Sequence, residues 1–448
     1  MFERLPGFRD FYPEDCARRN YLFRVWAQTA VRFGFVEYDA PALEPLELFT
    51  EKSGPEIVSQ LFNFTDKGGR EVTLRPELTP SLARMVGAKA NSLKRPLKWF
   101  SIGENYRYEK QQKGRLRSFY QLNVDILGEA GPSADAEIIA LYIETLRNFG
   151  LTDDDFCVRL SDRDLWVAYL AALGYEGEAA FGILGVIDKR ERLSPEALAE
   201  KLSPWFNDAT EEFVAQLDAI CSMRDFEELM AFFPTLAPNQ EIRDRIEARL
   251  ADWSKLMSGL EAFGVKSFIR LDLGIVRGLA YYTGFVFEVF EREGEKLVGR
   301  ALAGGGRYDH LVEKLGYPAM PAVGFGSGDV TLADLLDKKG LFPKVVMSPD
   351  VYVVIGGEDE TVPALEAVAV LRRGGISVEY ALKKTAFGKQ FKNAGASGAR
   401  LTLVFGSEEV AQEVVKIKDM RSGGETTVPA LRINECVQAF LEEGIPAS

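Results

Sequence analysis

Residues 107–121 read RYEKQQKGRLRSFYQ, from Arg107 to Gln121. They lie between KWFSIGENYRYE, ending at Glu109, and SFYQLNVDILG, starting at Ser118. Both flanks are rich in aromatic and β-branched residues, which is strand texture. The segment between them reads as a basic hairpin loop with a glycine near its tip. Arginine forks bind phosphate oxygens in bidentate fashion, and flanking strands would hold their bases in place. A solvated basic loop accounts for the same composition.

Moving outward, residues 70–117 hold twelve Lys and Arg against four acids, a local balance of +8. The whole chain of 448 residues carries −13, so the other 400 residues sum to −21. Read as an average, −13 argues against a nucleic-acid partner, because phosphate binding needs a basic surface. The average is silent on where the charges sit. Hydrophobic residues at 46% and charged ones at 27% exclude wholesale disorder. The length implies two to four domains.

On either side of the hairpin, polar residues recur at strand spacing. Glu77 and Thr79 are two apart in EVTLRPELT and would share one face of an extended chain. Gln121 and Asp125 are four apart and would also share a face. Carboxylates with hydrogen-bonding neighbours on a sheet suit an ammonium or imidazole group, although the same spacing describes a half-solvated sheet. Further on, Gly304-Gly-Gly-Arg-Tyr-Asp follows a strand-like run, where glycines would let a ligand approach the backbone. Gly324-Phe-Gly-Ser-Gly328 lacks the Lys-Ser/Thr of a phosphate loop and does not fit the dinucleotide fingerprint.

The remainder sets the frame. A turn over 5–13 precedes an amphipathic helix carrying Tyr21, Leu22, Val25, Trp26 and Thr29. A second helix runs through ADAEIIALYIETLRNFG, with Ser133 as its expected cap and Gly150 as its end. Residues 163–258 turn to Ala, Leu, Glu and Arg with helical periodicity, as in an all-helical insertion. After a linker over 336–349, strands and helices alternate in the pattern of a small parallel α/β domain over 350–448. The four cysteines are scattered and form no CxxC or Cys/His cluster, so neither a zinc site nor a disulfide framework is expected, and a reducing cytoplasm fits. The single histidine, His310, reads as a surface or packing residue. The charged N-terminus is no signal peptide, and no run of 18 apolar residues predicts a membrane span.

Taken in order, these segments resemble a class II aminoacyl-tRNA synthetase, specifically the histidyl-tRNA synthetase family. The likeness rests on Pro6-Gly-Phe-Arg-Asp10, Pro41 in DAPALEP, LRPELT, RYEKQQKGRLRSFYQ, RGLAYYTGFVFE from Arg277, GGGRYDHL and PAVGFGSG. It runs nearly end to end. It implies an α+β catalytic domain over 1–335, an antiparallel sheet flanked by helices with 163–258 inserted, and a C-terminal α/β anticodon-binding domain. It implies ATP, Mg²⁺, histidine and tRNA(His) as partners, and a homodimer formed around Pro41. By this resemblance Arg107 contacts the α-phosphate, with Glu109 also at the ATP, and Arg115 holds the terminal phosphates. Arg277 sits opposite Arg107. Glu77, Thr79 and Gln121 bind the α-ammonium of histidine, Asp125 with Tyr282 reads the imidazole, and Tyr281 and Gly305 line the pocket.

Three positions depart from the family pattern. The third class motif ends with an arginine that stacks on adenine, but here Gly328-Asp-Val-Thr331 puts Thr331 in its place, so adenine needs other groups. Asp125 stands for the usual Glu, shorter by one C–C bond of about 1.5 Å. Ala280 stands for the usual Asp, which nothing in the sequence explains. The chief rival is the regulatory subunit of ATP phosphoribosyltransferase, a non-catalytic histidine-binding paralogue. The retained arginines and the C-terminal domain stand against it. Within that domain, residues 372–400 carry Arg372, Arg373, Lys383, Lys384, Lys389, Lys392 and Arg400 against Glu379 alone, a balance of +6. That stretch suits an RNA backbone, and equally a solvated face.

Overall fold

A computed structural model describes residues 2–53, 55–109, 114–276, 281–345 and 347–445, with the backbone alone for 51–53 and 55–57. The chain forms two compact units, 1–343 and 344–448.

The strands of the first unit are β1 (Val36–Glu37), β2 (Leu43–Pro45), β3 (Phe62–Thr65), β4 (Glu71–Leu74), β5 (Leu97–Tyr106), β6 (Ser118–Leu127), β7 (Phe156–Asp162), β8 (Ile269–Leu271), β9 (Thr283–Glu293), β10 (Lys296–Arg307) and β11 (Ala322–Gly328). Eight of them make one sheet in the order β1-β5-β6-β11-β10-β9-β7-β8. Its interior pairs are antiparallel, and only the edge strands β1 and β8 pair in parallel. β2, β4 and β3 form a separate antiparallel sheet.

The period-two pattern of β6 decides which face does what. Leu122, Val124 and Ile126 enter the hydrophobic core. On that side lie the helices 13–32 and 132–147, supplying Trp26, Ile138, Leu141 and Tyr142 to the same core. Phe119, Gln121, Asn123 and Asp125 alternate with those residues and turn to the opposite face, where they line a cleft. The helix 132–147 is capped differently from expectation. Gly131 is the N-cap and Pro132 the first helical residue, so Ser133 lies inside the first turn. A proline fits that turn because the N–H it lacks would have no partner there anyway.

Residues 163–262 hold six α-helices, at 163–172, 177–187, 195–206, 210–222, 226–232 and 240–262, with no strand between β7 and β8. Trp166, Leu217, Leu250 and Trp253 belong to the same continuous core as the sheet, so this helical segment shares its apolar interior with the large sheet.

The second unit contains β12 (Val351–Ile355), β13 (Val378–Tyr380), β14 (Leu401–Phe405), β15 (Val414–Asp419) and β16 (Glu425–Pro429). The sheet order is β13-β12-β14-β15-β16. The first three strands are parallel, as the strand–helix alternation implies. β15 and β16 add an antiparallel edge, so the sheet is mixed rather than purely parallel.

Candidate active site

The cleft over the large sheet has a volume of about 690 Å³, in the range of small-molecule sites. Its floor is β6 beside β11. Gly324 and Gly326 of β11 are glycine for a cross-strand reason. A Cβ on Gly324 would lie 2.0 Å from Asp125 Oδ1, and one on Gly326 would lie 2.2 Å from Gln121 Nε2. The glycines of GFGSG thus make room for the two polar side chains of the neighbouring strand. The Gly304–Gly306 run likewise lies inside β10 and not after a strand.

Asp125 is buried, and its Oδ1 accepts a 2.6 Å hydrogen bond from the Tyr308 hydroxyl. Its buried Oδ2 has no hydrogen-bond partner. Burial pushes this carboxyl up to about 7, opposed by the Tyr308 hydrogen bond. Burial and the nearby Asp125 charge push the Tyr308 hydroxyl well above its ordinary value. Tyr308 is thus the tyrosine bonded to Asp125, and the sequence reading did not assign it. Tyr282 lines the same cleft, its ring tilted 46° to that of Tyr281 with 4.9 Å between centroids. The Tyr281 hydroxyl donates to Glu77 Oε2 at 2.9 Å.

Glu77 and Thr79 both line the cleft, but not as strand neighbours. β4 ends at Leu74, and Thr79 is the first residue of the helix 79–88, with Pro80 in its first turn. Pro76 favours an extended conformation at Arg75, and Pro80 lies in the first helical turn, where the N–H it lacks would have no intrahelical partner. Gln121 is held from behind by Asn105, whose Nδ2 donates to Gln121 Oε1 at 2.9 Å. Asn105 was also absent from the sequence reading; its position in β5 alternation is the signal that could have found it. Gly305 is a correction. The glycine on the cleft wall is Gly304, while a Cβ on Gly305 would run into the Gly324 carbonyl and Phe325.

At the other end, the base of the hairpin is closed by Arg107 N–H donating to the Arg117 carbonyl at 2.9 Å. Arg107 Nε donates to the Pro76 carbonyl at 3.0 Å, and its guanidinium lies 5.2 Å from the Phe119 ring centre. Arg115 pairs with Glu109 at 2.5 Å and is 44% exposed, so its charge is partly neutralised. Residues 110–113 of the loop, and Arg277 and Ala280 of the RGLAYY segment, lie outside the described residues. His310 is exposed, with Nδ1 3.7 Å from Glu313.

Thr331 lines the cleft as the third residue of the helix 329–339. Its neighbour Asp329 is buried, pairs with Arg9 at 2.8 Å and accepts from Tyr120 N–H at 3.0 Å. Arg117 and Ser118 N–H groups donate to the Gly7 carbonyl. The Pro6–Asp10 segment therefore ties the hairpin to that helix.

Residues 7–330 match the family model described as histidyl-tRNA synthetase. The chain belongs to the histidyl-tRNA synthetase family. Residues 350–442 match an anticodon-binding domain. The histidine--tRNA ligase of Opitutus terrae is 54% identical over 442 residues, covering 98% of each chain. A crystal structure of histidyl-tRNA synthetase from Nostoc sp. PCC 7120 aligns with a TM-score of 0.78 at 23% identity, over 98% of this chain and 99% of that one. An ATP phosphoribosyltransferase regulatory subunit/histidyl-tRNA synthetase from Bacillus halodurans aligns with a TM-score of 0.70 at 25% identity, over 88% and 96%. Asp125, Gln121, Arg107 and Arg115 all line the one cleft.

Proposed function

We propose that the chain is a histidine–tRNA ligase, which activates histidine with ATP and transfers it to tRNA(His). The observation that carries this reading is the buried Asp125 Oδ2, which lacks a hydrogen-bond partner in a cleft whose far end is lined by arginines. A buried carboxylate oxygen without a donor is costly, and an imidazole N–H supplies the missing one. Glu77, Thr79 and Gln121 are the groups for the α-ammonium, with Tyr281 and Tyr282 walling the imidazole. Arg107 meets the α-phosphate and Arg115, with Glu109, the terminal phosphates.

In the first step an oxygen of the histidine carboxylate bonds to the α-phosphorus and pyrophosphate leaves. In the second, a terminal ribose hydroxyl of the tRNA bonds to the acyl carbon and AMP leaves. The first step is phosphoryl chemistry, so positioning and positive charge suffice and no dedicated general base is required. Arg107, anchored through Nε to the Pro76 carbonyl, is a preorganised charge for it. Arg277 is assigned the opposite face of the α-phosphate. Mg²⁺, when bound with ATP, offsets phosphate charge. Glu109 is a hard oxygen donor beside Arg115 that fits such an ion, which prefers phosphate and water ligands to an all-protein cage.

The unit from 344 onward is the RNA-binding module. Lys383, Lys384, Lys389 and Lys392 are exposed, beside exposed Leu382 and Phe387, giving both charge and apolar surface for splayed bases. Arg400 belongs to the unit's own architecture, pairing with Asp419 at 2.8 Å. The homodimer assignment is supported by exposed Val36 and Leu43 on the strands to either side of Pro41. A cytoplasmic location accords with the free cysteines. Among the described residues no helix is long and apolar enough to cross a membrane.

The deciding assay measures histidine-dependent ATP–pyrophosphate exchange and charging of tRNA(His). Both activities are expected in the full chain. A chain ending at residue 343 should keep exchange and lose most charging. Histidine binding with neither activity would instead identify a regulatory histidine sensor.

A further inference from the structure

The nucleotide end of the cleft contains a cation that the class pattern does not supply. Asp329 bonds to Tyr120 N–H, which places Val330 and Thr331 beside Phe119 on the cleft side of β6. A threonine there offers a methyl and a hydroxyl, and no planar cation. The neighbouring strand compensates. Between Val298 and Ala303, β10 advances five residues while its partner β9 advances only two, from Glu291 to Val289. This bulge turns on Gly299, whose φ of +72° is a conformation glycine tolerates. Bulges beside active sites re-aim side chains. Here the re-aimed residue is Arg300, which lines the cleft.

A Cβ placed on Gly114 would lie 3.2 Å from Arg300 Cδ, 3.9 Å from Arg300 Nε and 3.4 Å from Thr331 Cγ2. Arg300 and Thr331 therefore converge on the same spot beneath the hairpin. Phe119, Leu302 and Val330 line the same cleft. An aromatic face and a guanidinium face are the two surfaces that sandwich a purine ring.

Resting on the ligase reading above, we propose that Arg300 is the base-binding residue of the nucleotide subsite. Its guanidinium covers the adenine face opposite Phe119 and takes over the position left by Thr331. The β10 bulge, with Gly299 as its pivot, is the device that delivers it.

The test measures ATP binding directly by equilibrium dialysis with the full chain, alongside exchange kinetics. Arg300→Ala should weaken ATP binding roughly tenfold, the size of a desolvated guanidinium–ring contact. The KM for histidine should move less than about twofold. Inorganic tripolyphosphate should bind both proteins equally, because the contact is with the base. The double variant Arg300→Ala, Thr331→Arg should recover most of the ATP affinity by restoring the cation from the helix. Unchanged ATP affinity in Arg300→Ala overturns the proposal. Equal weakening of ATP and tripolyphosphate overturns the base contact, and loss of histidine affinity as well marks a structural role. If the wild type binds ATP but shows no exchange, the ligase reading fails, and the dialysis comparison still decides the role of Arg300.

Discussion

The two ends of the cleft are built on different principles. At the Asp125 end each polar group already has a partner, and Asp125 and Glu77 are buried: Asp125 is held by Tyr308, Glu77 by Tyr281 and Gln121 by Asn105. Glycines on the facing strand leave room for these side chains and for nothing larger. At the nucleotide end the groups are long cations on a loop and a bulge, and Arg115 is half exposed and paired with Glu109. On the proposed ligase reading, the difference follows from the ligands. Telling one amino-acid side chain from another needs buried groups whose hydrogen bonds go unmade with the wrong ligand. A triphosphate carries enough charge to be captured by arginine forks, and Arg115 would exchange its internal partner Glu109 for it. On that reading selectivity rests on groups held inside the cleft, and charge capture on the hairpin.

The largest effect should come from removing Arg107, whose Nε is anchored on the Pro76 carbonyl. Arg107→Ala should lower kcat for exchange by roughly 10²–10³-fold, the usual cost of a preorganised transition-state donor. The KM for histidine should stay near wild type. If it rose as steeply as kcat fell, the two ends would not be separable.

Asp125→Asn attacks the other end. A hydrogen bond to a charged group contributes up to about 3 kcal/mol, so the KM for histidine should rise roughly 10²-fold with little change for ATP. The same substitution has an opposite effect on stability. The Asp125 carboxyl is raised from 3.8 to about 7 by burial, so the folded protein holds its proton more tightly than the unfolded chain does. Stability is accordingly lost as pH rises from about 4 to about 7, and the loss is complete above that. Without histidine, Asp125→Asn should melt higher than wild type at pH 8, by on the order of 3 kcal/mol. That advantage should vanish near pH 4. A variant less stable than wild type at pH 8 would show that the carboxylate is compensated by something other than Tyr308.

These two ends were not equally legible in the sequence. Period two put Gln121 and Asp125 on one face of β6, and the hairpin declared its arginines by composition. The partner of Asp125 was hidden because Tyr308 lies 183 residues away, just past β10, and reaches it across the one intervening strand, β11. Glu77 and Thr79 reach the cleft through a strand-to-helix turn, where β-like texture in EVTLRPE masks the helix start. The glycines of β10 were expected after a strand and those of β11 were weighed only against phosphate-loop patterns, because a glycine shows no periodicity of its own. Their meaning lies in the side chain opposite. Arg300 was invisible for the same reason: a bulge is defined by the strand it fails to match. In the second unit, β15 and β16 alternate only briefly and sit at a sheet edge, and the parallel reading stopped before them.

The smallest effect tests whether the Asp125 end is rigid through its supports or merely through burial. Asn105 is buried and donates to Gln121 Oε1 without lining the cleft, so it acts by orienting Gln121. A neutral hydrogen bond of this kind contributes about 1 kcal/mol net. Asn105→Ala should therefore raise the KM for histidine about fivefold while leaving kcat and the KM for ATP nearly unchanged. A purely structural role would lower the melting temperature and depress kcat and both KM values together. An unchanged KM for histidine would mean that packing against Gly326 alone holds Gln121, and that the contrast between the two ends rests on the glycines.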